Sequence, residues 1–533
     1  MAIIIRNEEL DDKALASLSY DYKQWVYNAL DVCVTHEILD EVKSSCDNVT
    51  LNTYEFSKSL MAPILEMSLR GTRVDTSQRF TMLNKYQRQH KRLRKHLNRI
   101  VLDGVGIDKP DFNYRSPYQL KGLFYGVLGL KPIKARNSHG KYSATVNRDA
   151  LETLDSYFVA RPICSHILQL RNLDKKISLL ETKIDADKRM RSNFNIAGTN
   201  TGRLSSSVSD FGTGTNTQNI DRYLRSVFIP DQGMKFCNID LEQADARNVG
   251  AIIWNLFVES HGEEYAGAYL NACESGDLHT TVCRMAYTEL PWTHNLAADK
   301  EIADDKSNYA YREFTYRDMA KRLGHGTNFY GTPRTMAKHL KMPFKPIDLF
   351  QQAYFKAFPA IGKHGKFIGK NNWHSHILKS LEDSSQLTTM FGRRRTFYGR
   401  ADDARTLRAA IAYEPQSMTA DEIDTGLIRL WRENICQLLI QVHDSILFQY
   451  PAHLEDEIIP RALELLSIKF DLAHGREFTV PVEAKIGWNW GDGNKENPSG
   501  LLKWQGVGED NRRAPSHNRE ETTILSGILK SKL

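Results

Sequence analysis

Two apolar runs that each lead into an aspartate constrain this chain more than any other feature. The first, Phe236–Ile239, ends at Asp240 and opens the motif DLEQADAR, Asp240 to Arg247. The second, LLIQVHDSILF from Leu438 to Phe448, sets His443-Asp444 between two apolar flanks, where a hairpin would turn. A carboxylate at the end of a buried strand is rigidly held and can face a cleft. Two of them, far apart in the chain, predict a shared metal site. Their hard oxygens suit Mg²⁺, which binds through one or two carboxylates plus substrate phosphates. Two such ions roughly 4 Å apart can activate an attacking hydroxyl and steady the leaving oxygen. A lone aspartate at a strand end is more commonly a turn or helix cap, so neither motif stands without the other.

A third motif, RDMAKRLGHGTNFYGTP, runs from Arg317 to Pro333. Arg317, Lys321 and His325 are four apart and share one helix face. From the first to the last is roughly 12 Å of helix. Two fixed cations can grip a triphosphate while a ring further along stacks on a base. Electrostatic clamping is the main demand that phosphoryl transfer makes on a protein. Gly324 and Gly326 weigh against a plain surface helix, because interior glycine costs roughly 1 kcal/mol each relative to alanine. They predict close approach by something flat, or the helix end.

The remaining composition narrows the class. With 533 residues the chain exceeds one compact core and predicts several lobes. Hydrophobic residues at 41% and charged residues at 26% fit a soluble globular protein. No apolar run approaches the roughly 20 residues of a membrane helix. MAIIIRNEELDDK lacks the basic start of a signal peptide. Seven scattered cysteines without a CxxC pair predict reduced thiols, a cytoplasmic setting and no zinc site. The net charge of +6 is mild, but unevenly spread. From Arg79 to Arg99 the basic residues Arg79, Lys85, Arg88, Lys91, Arg92, Arg94, Lys95 and Arg99 meet no acid, while Leu83, Tyr86, Leu93, Leu97 and Ile100 recur at helical spacing. Such a helix packs on one face and offers the other to a phosphate backbone, or is simply solvated. A helical segment is expected before Ser44–Thr50 and mostly helix over 51–190. A polar functional loop is expected over 197–219, more helix over 244–385, and a mobile polar stretch over 493–533.

These three motifs, in this order, resemble family A DNA polymerases, the bacterial DNA polymerase I class. FNIAGTNTGRLSSS followed by NTQNI, ESGDLHTTV, TTMFGRRR, EPQSMTAD and VPVEAKIGWNW also match its pattern, and FNYRSPYQL and LQLRNLDKK resemble its thumb. HGTNFYG and the QADAR core look most like bacteriophage members. The resemblance implies a multidomain α+β fold shaped as a right hand, with helical thumb, antiparallel-sheet palm and helical fingers. It divides the chain into an exonuclease-like remnant (1–50), thumb (51–192), palm (193–255), fingers (256–385), palm again (386–495) and a flexible tail (496–533). Asp240 and Asp444 would be metal ligands for two Mg²⁺ ions, with Mn²⁺ as a substitute, and Lys321 would join them in catalysis. Arg317, Lys321, His325, His279, Gln243, Asp245 and Tyr330 would bind the incoming dNTP, Tyr330 by stacking where the template base enters. Arg203, Gln416, His443 and Arg247 would serve primer–template DNA. The primer 3′-hydroxyl would attack the α-phosphorus of a dNTP and release pyrophosphate, in phage DNA replication in the host cytoplasm.

Several residues depart from the family pattern. Asp245 stands where a glutamate usually walls off the sugar 2′ position, so weaker rejection of ribonucleotides is expected. Glu242 replaces a small serine and is expected on the face of Asp240, as a metal-shell group or a salt-bridge partner of a nearby arginine. His325 replaces an aromatic, Ser445 replaces an acid, and one extra residue precedes Gly331. WVYNALDVCVTHEI, with Tyr27 and Asp31, resembles the last motif of a 3′–5′ exonuclease; Glu8, Glu9, Asp11 and Asp12 do not form the earlier ones. No intrinsic proofreading is expected, and residues 1–50 are a candidate face for a separate exonuclease or processivity subunit. His374 and His376 read as solvated loop residues, and Arg393–Arg395 as template contacts or surface. The rival readings are a single-subunit RNA polymerase and a non-catalytic replisome subunit.

Overall fold

A computed structural model describes residues 17–106, 112–136, 140–363 and 371–507. Glu8, Glu9, Asp11, Asp12 and the terminal TTILSGILKSKL lie outside the described residues. The architecture is α+β. Its centre is a five-stranded antiparallel sheet, numbered here in chain order: β1 (Met234–Leu241), β2 (Gln437–Val442), β3 (Ser445–Pro451), β4 (Val482–Gly487) and β5 (Leu502–Lys503), in spatial order β2-β3-β1-β4-β5. Phe236, Cys237 and Ile239 of β1 are all buried although neighbours point to opposite faces, so both faces are covered here. The register sets Asp240 opposite Ser445 on one side and Glu483 on the other.

The helices that matter below are α1 (Tyr20–Ser45), α2 (Thr76–Arg99), α3 (Arg161–Glu181), α4 (Ala244–Glu274), α5 (Leu278–Ala286), α6 (Tyr316–Asn328), α7 (Phe344–Ala357), α8 (Trp373–Ser384), α9 (Ala404–Glu433) and α10 (Glu455–Leu466). α4 bends at Gly262, whose φ of 78° breaks the helical run. α4 packs on α9, and α9 on α10, over the sheet. A second core, including Leu97, Phe112, Leu120, Phe124, Leu151 and Ile167, fills the space between the C-terminal half of α2 and α3. Leu83 and Tyr86, at the other end of α2, pack on the main core. The basic residues Lys85, Arg88, Lys91, Arg92, Arg94, Lys95 and Arg99 are exposed along the same helix, while Arg79 turns inward to the carbonyl of Leu180 at 2.6 Å. α1 buries none of its residues. Among the described residues no helix is long and apolar enough to cross a membrane.

Two stretches differ from expectation. The stretch expected as a loop over 197–219 contains a strand: Ser205–Val208 pairs with Ser192–Asn195 as a hairpin, and Gly202, with φ of 81°, lets the Arg393 guanidinium pack where a Cβ would sit 2.6 Å from Cζ. The tail expected from 496 starts later. Leu502–Lys503 adds an edge strand to β4, Trp504 N–H donates to the Ala484 carbonyl at 2.9 Å, and Lys503 pairs with Glu483 at 2.6 Å. Backbone pairing and an ion pair thus tie residues through 504 to the sheet; 508–533 lie outside the described residues.

Candidate active site

The hairpin between β2 and β3 has a two-residue loop, His443-Asp444. His443 takes a φ of 56°, the left-handed first position that a type II′ turn requires. The Gln441 side chain donates to the His443 carbonyl at 2.6 Å, and Ser445 Oγ donates to the Val442 carbonyl at 3.0 Å. Leu241 N–H donates to the Asp444 carbonyl at 3.0 Å, so the end of β1 and the hairpin tip are stitched together. Asp240 and Asp444 therefore share one corner of the sheet. Burial, then the Asp444 carboxylate, pushes Asp240 up to about 7. Burial, with the Asp245 carboxylate adding to it, also raises Asp444. Among the described residues no ion pair or side-chain hydrogen bond reaches either carboxylate. Two crowded acids without a cation are a destabilised arrangement that a divalent ion would relieve. Two carboxylates with hard oxygens and no side-chain partner among the described residues fit a divalent ion that takes its other ligands from substrate and water. Glu483, directly opposite Asp240, is already held by Lys503 at 2.6 Å and Lys485 at 3.2 Å.

α6 is capped by Thr315, whose Oγ1 accepts the Asp318 N–H at 3.2 Å. Arg317 is clamped by Asp277, which accepts from Nε at 2.8 Å and Nη2 at 2.9 Å. Asp277 is buried and also accepts the Thr280 hydroxyl at 2.6 Å; sequence reasoning gave it no separate role. Burial, then the Arg317 guanidinium, pushes His279 down to about 4, so its imidazole is neutral at physiological pH. Lys321, one turn beyond Arg317, is exposed. The His325 ring lies 4.7 Å from that of Phe329. α6 ends at Asn328, and Tyr330 turns back with φ of 61°, its ring edge-on to His374 at 5.4 Å. The glycines of this motif answer to the core. One edge of the Tyr354 ring lies beside Gly324, Met336 Sδ occupies the space beside Gly326, and a Cβ on Gly331 would meet the Gly326 carbonyl at 2.6 Å. Asn328 is fixed by donating to Tyr269 Oη at 2.6 Å and accepting from Tyr354 Oη at 2.8 Å.

Asp245, in the first turn of α4, lies between the acidic corner and α6: it acts electrostatically on Asp444 and on His325, whose desolvation it opposes. Its carboxylate accepts from Thr419 Oγ1 at 2.9 Å and from Arg203 Nη2 at 3.1 Å. Arg203, expected at the DNA, is thus engaged by Asp245. Gln243 takes φ of 56° as the cap of α4, with a buried Oε1 that has no partner among the described residues. Gln416 is partly exposed, and His443, at the hairpin tip, is exposed.

Other expectations change. Arg247, expected at primer–template DNA, is 5% exposed and donates Nε to the Glu242 carbonyl at 3.1 Å, so it braces the turn after β1. The arginine beside Glu242 therefore meets its backbone oxygen, where a carboxylate salt bridge was expected, and the Glu242 N–H is tied to the Pro481 carbonyl at 2.8 Å. His374 is no solvated loop residue: it is buried at the start of α8 and bonded through Nε2 to the Asn328 carbonyl at 2.8 Å. Arg393 is paired with Asp421 at 2.6 Å, Arg394 with Asp47 at 2.6 Å, and Arg395 lies over the Phe397 ring, so each is engaged within the protein.

The sequence pattern of DNA polymerase family A matches residues 81–255 and 294–492. The thermostable DNA polymerase I of Thermus filiformis is 24% identical over 452 residues, covering 82% of this chain and 48% of that one. DNA polymerase I of Helicobacter pylori strain J99 is 25% identical over 406 residues, covering 72% of this chain and 38% of that one. The chain spans about half the length of the curated relatives it matches. Among solved structures, the POL domain of Pol1 from M. smegmatis, in complex with DNA primer-template and dNTP, shares the fold with a TM-score of 0.63 at 20% identity, over 81% of this chain and 69% of that one. With the family pattern matching most of its length, the chain belongs to DNA polymerase family A.

Proposed function

We propose that this chain is a template-directed DNA polymerase that extends a primer 3′-hydroxyl with dNTPs and releases pyrophosphate. The observation that carries the reading is the stitching of Asp240 to Asp444 at one sheet corner, from which Asp245 acts electrostatically on His325 of α6, the helix that also bears Arg317 and Lys321. In this reading the five-stranded sheet with α4, α9 and α10 is the palm, α5 to α8 form the fingers, and α2 with α3 and the second core is the thumb. The basic face of α2 follows the duplex backbone, where sequence-blind contacts suffice.

Each residue has a separate task. Asp277 holds the Arg317 guanidinium in one orientation, with Asp304 3.7 Å from Nη1, so that a triphosphate displacing that weaker partner meets Arg317 and Lys321 already ordered. His279 remains neutral beside Arg317 and offers a hydrogen bond in place of a second charge. Tyr330, held out of α6 by its left-handed backbone, occupies the position where the templating base stacks. Asp245 walls the sugar near its 2′ position. Asp240 and Asp444 would hold divalent metal ions, Mg²⁺ with Mn²⁺ as a substitute, which when bound neutralise phosphate charge and lower the pKa of the attacking hydroxyl. Tyr27 and Asp31 sit on α1, none of whose residues is buried, which leaves that helix as a candidate face for a partner subunit. Resemblance of the HGTNFYG and QADAR segments to phage members supports a setting in phage DNA replication.

Primer extension tests the proposal. Asp240→Asn or Asp444→Asn is expected to keep primer–template binding while extension falls by at least about a thousandfold, the scale of losing a principal charge-stabilising group. Extension retained in either variant refutes the assignment.

A further inference from the structure

Between α4 and α9, three buried polar side chains lead to Asp245. Asn248, Thr419 and Glu422 are 0%, 1% and 3% exposed. Asn248 Nδ2 donates to Thr419 Oγ1 at 3.1 Å and to Glu422 Oε2 at 3.2 Å. Thr419 Oγ1 lies 2.9 Å from two acceptors, Asp245 Oδ1 and the Pro415 carbonyl. A hydroxyl has one proton. The Pro415 carbonyl already has a helical partner in the Thr419 N–H, and a charged acceptor forms the stronger bond. The proton goes to Asp245, and the amide of Asn248 fixes that direction by filling an Oγ1 lone pair.

This arrangement is costly as packing alone. Buried polar groups cost free energy unless fully bonded, and Asn248 Oδ1 and Glu422 Oε1 have no partner among the described residues. Aliphatic side chains would serve the α4–α9 contact better. What the polar trio gains is a second grip on the Asp245 carboxylate. Arg203 Nη2 donates to the same Oδ1 at 3.1 Å and reaches Oδ2 at 3.5 Å, both longer than the Thr419 bond. One grip leaves the carboxylate free to pivot, and two fix it.

We propose that Thr419, braced by Asn248 and Glu422, is a positioning residue that fixes the Asp245 carboxylate and thereby sets discrimination between deoxyribose and ribose in the incoming nucleotide. The inference rests on the reading of Asp245 as the wall at the sugar 2′ position. Asp245 is one methylene shorter than the glutamate expected there, and the Thr419 and Arg203 bonds to its carboxylate hold that shorter wall in one place.

The test is single-nucleotide insertion on a primer–template, comparing kcat/KM for a matched dNTP with that for the matching rNTP. Thr419→Val keeps the shape and removes the donor; Thr419→Ala does so with less bulk. Both are expected to lower the dNTP/rNTP ratio about tenfold, the effect of losing one hydrogen bond to a charged group, with the change in KM for rNTP. Thr419→Ser is expected to return the ratio to within about twofold of the parent, and in an Asp245→Ala background Thr419→Val is expected to change nothing further. A ratio unmoved in both donor-less variants overturns the proposal, as does failure of the serine rescue or an equal shift in the Asp245→Ala background. If the parent chain extends no primer, the polymerase reading itself fails; extension with an unmoved ratio refutes only the role of Thr419.

Discussion

Acid is expected to weaken this fold through His374 in a way that one substitution removes. His374 is 3% exposed, and its Nε2 donates to the Asn328 carbonyl at 2.8 Å. The other nitrogen has nowhere to place a proton. A Cβ on Gly362 would lie 2.5 Å from Nδ1 and 3.0 Å from the Phe355 ring, so backbone closes over Nδ1 with no space for water. Burial accordingly pushes His374 down to about 4 from its ordinary 6.5. The folded state resists the proton while the unfolded state accepts it. Stability is therefore complete above pH 6.5, falls as pH drops below that value, and levels off near pH 4. Between about pH 7.5 and pH 5 the loss is about 2 kcal/mol, from the ratio of the two binding polynomials. Other groups titrate in the same window, so wild type alone cannot isolate the effect. His374→Gln can, because its amide keeps a donor to the Asn328 carbonyl and has no proton to gain. Urea unfolding of both proteins at the two pH values is the assay. The stability difference between wild type and variant is expected to move by about 2 kcal/mol in favour of the variant on acidification. A difference that stays within about 0.5 kcal/mol refutes the reasoning, since it places His374 in an environment that tolerates charge.

Two further measurements probe other links. Gly331→Ala drives a methyl to 2.6 Å from the Gly326 carbonyl and is expected to cost about 2 kcal/mol, with Tyr330 displaced. Gly324→Ala meets only Tyr354 at 3.4 Å and is expected to be neutral or to stabilise by up to about 1 kcal/mol in chemical denaturation; reversal of that order sinks the packing account of these glycines. Replacing Lys91, Arg92, Arg94 and Lys95 of α2 by glutamine is expected to weaken DNA binding for all sequences alike. The plot of log affinity against log salt should become shallower by about one for each phosphate no longer neutralised, and an unchanged slope places the DNA elsewhere.

How much of this was legible follows from where each signal lives. Asp240 and Asp444 could be found because a strand end and a two-residue turn are local: apolar residues on both sides and a His-Asp step announce them. Arg317 and Lys321 share a helix face by spacing alone. Asp277, Thr419, Asn248 and Glu422 carry no such mark, since each acquires its role from a residue on another element. Thr419 and Glu422 lie on α9 and Asn248 on α4, and only the packing of the two helices turns three buried polar residues into one chain of hydrogen bonds. His374 is the instructive middle case. Asn372 caps α8 by accepting the Ser375 N–H at 3.0 Å, and Trp373, Ile377 and Leu381 then line one buried face. That spacing was present in the sequence, and it would have moved His374 from solvent to the interior. Of the two glycines expected to mark close approach, Gly326 does, with Met336 against it, while Gly324 makes only ordinary contact with an edge of the Tyr354 ring. Sequence patterns therefore single out carboxylates at a strand end and a turn, and cations at helical spacing, and leave to tertiary structure the residues that hold them still. Asp245 spans both sets: its place in DLEQADAR is local, while the grip of Thr419 and Arg203 on its carboxylate exists only in the packed structure.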